Sequence, residues 1–175
     1  MRGMSLIQKA LITAWSIIAT GEQIASAEPS VPDLKSYEAS DVQEYTRCSD
    51  TPGGPSHCGI SFRSEDGFYC GMVSVLAEAH CFDTAGLSED GGSVREYSVK
   101  TAGTPTIFVK HLENGSSRDE AQILQPLHKL SFKWGVAYAP PTDQLSCGVV
   151  EDGSVSCQNI QGHGFVLSHD GSKTW

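Results

Sequence analysis

Six cysteines fall as three closely spaced pairs, Cys48/Cys58, Cys70/Cys81 and Cys147/Cys157, with nine, ten and nine residues between partners. Fifteen connectivities are formally open to six cysteines. Spacings this short suit loops or hairpins closed by a bridge between sequence neighbours, and that pairing is the one expected here. Each closure of about eleven residues stabilises by ~2.8 kcal/mol in the chain-entropy account.

Register supports the third pair. A three-residue loop Glu151-Asp152-Gly153, with glycine in the left-handed position, pairs Val150 with Ser154, Val149 with Val155 and Cys147 with Cys157. Leu145, Cys147, Val149, Val155 and Cys157 then share one face, and mostly small polar residues take the other. For Cys70 and Cys81, symmetric pairing sets Met72 opposite Ala79 and leaves Ser74 to Ala77 as a loop without glycine or proline. Cys48 and Cys58 bracket Pro52-Gly53-Gly54-Pro55, where two prolines discourage a ladder, so a stapled loop is expected there.

The compartment agrees with cysteines in this oxidised use. Arg2 and Lys9 precede or flank an apolar run, Ala10 to Thr20, and Ala25-Ser26-Ala27 supplies a small-x-small cleavage site, so residues 1–27 read as an export signal. The apolar run is too short for the roughly 20 residues that span a bilayer. Cleavage leaves 148 residues with 10 basic and 20 acidic side chains, a net charge of −10. Such a surface disfavours nucleic acid and anionic membranes. The expected location is extracellular or cell envelope, with no membrane span after cleavage.

Residues 28–44 have two prolines, many charges and no apolar period, and read as a flexible leader to a domain spanning residues 45–175. Turn signals then recur, among them Asp66-Gly67, Asp90-Gly91-Gly92, Asn114-Gly115 and Asp152-Gly153, between short stretches rich in β-branched and aromatic residues. The pattern is that of an all-β, mainly antiparallel domain of hairpins, either sandwich or barrel-like, with at most one short helix. The clearest strand is Leu130 to Tyr138, with Leu130, Phe132, Trp134, Val136 and Tyr138 on a core face. The helix candidate is Ser117 to Gln125, with Ser117 and Glu120 at capping-box spacing and Pro126 as its stop.

Catalytic signals are sparse. No Gly-x-Ser-x-Gly elbow or glycine-rich phosphate loop is present, the cysteines are committed to bridges, and nothing calls for a cofactor. His57-Cys58 and His80-Cys81 resemble zinc half-sites, but oxidation removes their thiolates. Glu65-Asp66 and Asp119-Glu120 sit beside turn or cap signals and read as solvated carboxylates. A histidine-only metal site would use His163 and His169 with distant partners. His163, between Gly162 and Gly164, is the one candidate binding residue; its structural reading is an imidazole bonded to a neighbouring turn, ahead of a strand with Phe165 and Leu167 facing inward.

Leu145-Ser146-Cys147-Gly148, then Gly153, Val155, Cys157 and Asn159-x-x-Gly162-His163-Gly164-Phe165-x-Leu167-Ser168, resembles the C-terminal signature of small secreted actinobacterial proteins classed as a domain of unknown function. Phe62-x-Ser64-x-Asp66-Gly67-x-x-Cys70, followed by Cys81, echoes their N-terminal signature. Two departures stand out: Glu65-Asp66-Gly67-Phe68 replaces their usual Pro-Ser-Gly-Asn type turn, and no cysteine lies between Cys81 and Cys147. The resemblance implies secretion, a disulfide-bonded β fold and a bacterial source, and assigns no catalytic residue. The resulting expectation is a non-enzymatic envelope or extracellular interaction module, the alternative being a small hydrolase or histidine-metal protein using His163.

Overall fold

The computed structural model describes residues 30–49, 57–73, 76–84, 91–112, 120–132 and 144–175. The expected export signal therefore lies outside the described residues. Two sheets make a sandwich. The smaller has the order β1 (Glu38–Ala39), β9 (His128–Phe132), β10 (Leu145–Val149), β11 (Val155–Asn159), β12 (Gly164–Leu167), β13 (Lys173–Thr174). The larger runs β2 (Thr46–Ser49), β3 (His57–Arg63), β4 (Phe68–Val73), β5 (Glu78–Asp83), β6 (Gly92–Lys100), β7 (Thr106–Leu112), with β8 (Gln122–Ile123) also paired to β3. Most neighbours are antiparallel; β1 with β9 and β8 with β3 are parallel.

Alternation decides which side chains enter the core. From the larger sheet Ile60, Phe62, Cys70, Met72, Cys81, Tyr97 and Val99 face in, and Leu130, Leu145, Cys147, Val149, Cys157 and Phe165 meet them from the smaller. Phe165 is fully buried, with its ring centroid 5.8 Å from that of Tyr97 on the opposite sheet. Burial of such side chains contributes about 1.5–3 kcal/mol each. The apolar faces therefore hold the two sheets together.

All three disulfides join the expected partners. Cys147 pairs with Cys157 and Val149 with Val155, and Gly153 has φ 82°, as the hairpin loop requires. Met72 lies opposite Ala79 and the ladder continues to Val73 and Glu78. With no glycine in that loop, Ala77 itself takes the left-handed region at φ 48°. Cys48 and Cys58 differ from the expected stapled loop: they sit within a four-pair antiparallel ladder from Thr46 and Ile60 to Ser49 and His57. Both prolines fall beyond that ladder, in residues 50–56, and so cost it no hydrogen bond.

The described part of the expected leader, residues 30–44, joins the fold. A 3-10 turn, η1 (Leu34–Ser36), lays buried Leu34 over the outer face of the smaller sheet, where Gly148 leaves room for it and for Tyr37. A Cβ on Gly148 would lie 3.1 Å from Leu34 Cδ2 and 3.0 Å from Tyr37 Cδ2. Lys129 Nζ donates to Leu34 O at 2.9 Å, β1 pairs with β9, and α1 (Val42–Tyr45) starts at the Asp41 cap. Charge and proline concealed one anchoring leucine.

Two other expectations change. Of the helix expected over Ser117 to Gln125, residues 117–119 lie outside the described set, and Gln122 and Ile123 instead form β8 along the open edge of β3 beyond β2. A nine-residue helix is marginal by itself, and a strand edge offers its backbone complete hydrogen bonds. The Leu130 strand is present as β9 with Leu130 in the core and Phe132 packed against it; Trp134, Val136 and Tyr138 lie outside the described residues.

Candidate functional site

The Asn159 to Gly164 segment is a tie between sheets. Asn159 Oδ1 accepts from the main-chain N–H groups of Gln161 and His163, both at 3.0 Å. Its Nδ2 donates to Lys100 O at 3.0 Å, at the end of β6, and to Gly103 O at 2.8 Å, on the β6–β7 connection of the other sheet. Gln161 Oε1 accepts from Gly103 N at 2.8 Å. Gly162 has φ 85°, and a Cβ on Gly164 would come within 2.9 Å of Trp175 Cζ2. His163 thus serves the turn through its main chain rather than through its imidazole, and buried Asn159 is the residue that organises the motif.

His163 and His169 flank β12 at its opposite ends, with the four strand residues Gly164–Leu167 and Ser168 between them. His169 stacks on Phe68 with ring centroids 4.5 Å apart; Nδ1 lies 3.3 Å from Asp83 Oδ2 and Nε2 donates to Asp66 O at 3.1 Å. An acid and a histidine are therefore paired, but the outer ring nitrogen meets a carbonyl where a hydrolase would place its nucleophile. Beside them a cleft of about 460 Å³ opens between the sheets, lined in part by Asp83, Arg95, Tyr97, Leu167 and Ser172.

A second hollow of about 450 Å³ lies on the larger sheet, bordered by Gly59, Ser61, Tyr69, Gly71, Val73 and His80. Gly71 makes space for the His80 ring: a Cβ there would lie 2.6 Å from Nε2. Burial pushes the His80 pKa below 6.5; Glu96 and Glu78 oppose the shift and Lys110 adds to it. Neighbouring strand residues alternate in direction, so His80 and Cys81 do not converge, and the sulfurs of Cys58 and Cys81 are held in disulfides. Of the carboxylates, Glu120 borders this hollow, Asp66 sits in the β3–β4 turn and Asp119 lies outside the described residues.

Among the described residues, the largest departure from ordinary surface chemistry is β7, which ends the larger sheet there. Residues 106–111 are all exposed; Ile107 is 52%, Phe108 51% and Val109 78% accessible. Ile107 pairs with core-facing Tyr97 and Val109 with Arg95, so both continue the inner face beyond the cover of the smaller sheet. Phe108 projects to the other side, while Lys110 is fixed by Glu96 at 2.9 Å. Thr-Ile-Phe-Val carries no alternation that would mark this strand along the chain; its one local signal is the apolar run ending in Lys110-His111.

No family model, no curated protein and no solved structure matches the chain. Among the described residues no helix is long and apolar enough to cross a membrane.

Proposed function

We propose that this chain is a secreted, non-enzymatic interaction module of the envelope or extracellular space that receives an extended segment of a partner protein along β7. The observation carrying the reading is an edge strand with three neighbouring large apolar side chains in water. Strand edges bind by main-chain hydrogen bonds and gain specificity from side chains on alternate faces. Here Ile107 and Val109 would cover the partner on the inner face, where the cleft containing Arg95 and Tyr97 adjoins the edge. Three disulfides suit an oxidising location.

Panning a library of ten-residue peptides against the chain, followed by calorimetry and amide exchange, tests the reading. Selected peptides should contain alternating apolar positions and slow exchange at β7. Val109→Lys should weaken them at least tenfold, about 1.4 kcal/mol, while changing stability by no more than about 0.5 kcal/mol. Peptides that bind equally well to Val109→Lys and leave β7 exchange unchanged would defeat the proposal.

A further inference from the structure

The cystines Cys70–Cys81 and Cys147–Cys157 belong to different sheets, yet they touch in the middle of the sandwich. All four residues are 0% exposed. Cys81 Sγ lies 3.5 Å from Cys157 Sγ, and the sulfurs of Cys70, Cys81 and Cys157 all lie within 4.8 Å of one another. Each bridge secures strands within one sheet. The sulfur contact joins the two sheets without a bond.

Exchange requires a thiolate to reach a sulfur of an existing disulfide, through a mixed disulfide. The core provides that proximity before any bond is broken. We infer that the four sulfurs form a single exchange unit whose alternative covalent state is a cross-sheet bridge, Cys81–Cys157.

When the β4–β5 hairpin opens locally, a small dithiol supplies two electrons to open Cys70–Cys81, becoming a disulfide itself and leaving two protein thiols that close back into the core. Cys81 loses its proton and attacks Cys157; the Cys81–Cys157 bond forms, the Cys147–Cys157 bond breaks, and the leaving electron pair resides on Cys147, which takes up a proton. Attack of the Cys70 thiolate on Cys81 then restores Cys70–Cys81 and releases Cys157. The net step oxidises the Cys70/Cys81 dithiol and reduces the Cys147–Cys157 cystine, with two electrons and two protons transferred. A reducing equivalent entering either sheet can thereby reach the other without crossing solvent.

Single and double cysteine variants isolate the exchange without added reductant. In Cys70→Ser, Cys81 faces the intact Cys147–Cys157 bridge; in Cys147→Ser, Cys157 faces Cys70–Cys81. After incubation at pH 8.5, acid quenching, alkylation and peptide mapping, both variants should contain Cys81–Cys157, with label appearing on Cys147 in the first and Cys70 in the second. Label confined to Cys81 in the first and to Cys157 in the second would overturn the inference. Because a single variant could fail to fold, the double variant Cys70→Ser/Cys147→Ser gives an independent answer in glutathione redox buffer. Formation of Cys81–Cys157 with Cys48–Cys58 retained supports the exchange unit, whereas two alkylatable thiols or scrambling with Cys48 or Cys58 refutes it.

Discussion

Replacing Asn159 with alanine should destabilise the chain far more than replacing the histidine that its motif displays. Asn159 is 5% exposed, and its side-chain amide makes four hydrogen bonds, two accepted from Gln161 and His163 and two donated to Lys100 and Gly103. At about 1 kcal/mol net per bond the loss approaches 4 kcal/mol. Lys100, Gly103 and Gln161 are exposed residues, so water can recover part of it, and the expected cost is about 2–3 kcal/mol. Asn159→Asp retains both acceptor bonds but directs a carboxylate at two carbonyls, so it should cost at least as much as alanine. His163→Ala keeps the main-chain bonds and should cost less than about 1 kcal/mol. Urea unfolding of the three oxidised variants measures the order through midpoints at constant slope. An Asn159→Ala variant within 0.5 kcal/mol of the parent, or His163→Ala as the more damaging change, would refute the assignment of the motif to an inter-sheet tie.

Three further outcomes follow from local geometry. Ala77→Gly should stabilise by roughly 0.5–1 kcal/mol, because φ 48° strains alanine more than glycine, less the entropy glycine adds to the unfolded chain; thermal unfolding that shows no gain would contradict the loop conformation. His80 is held below its ordinary pKa of 6.5, chiefly by burial. Protons then bind the unfolded chain preferentially, so its stability contribution is present above pH 6.5 and declines as pH falls through the folded-state pKa; His80→Gln should flatten that part of the pH profile. Gly153→Ala should cost about 1–2 kcal/mol in equilibrium unfolding, since φ 82° disfavours any Cβ and Asp66 must also move aside; a neutral substitution would reject the hairpin geometry.

The cysteine spacing and the Glu151-Asp152-Gly153 turn determined the β10–β11 register, because turn geometry, alternation and cross-strand cysteines are local and mutually constraining. The same local logic placed Met72 opposite Ala79 and Phe165 and Leu167 in the core. Tertiary structure decided what those local patterns met. It made the hairpins a sandwich, recruited Leu34 from a charged segment to cover Gly148, and turned Gln122 and Ile123 into a strand at the edge of β3. It also transferred the importance of the Gly-His-Gly signature from an imidazole to Asn159, whose partners lie 59 and 56 positions away. Exposure of β7 and the meeting of two cystines across the core are likewise invisible along the chain. Spacing fixes which neighbours can pair; packing alone fixes which faces are covered and which distant atoms touch.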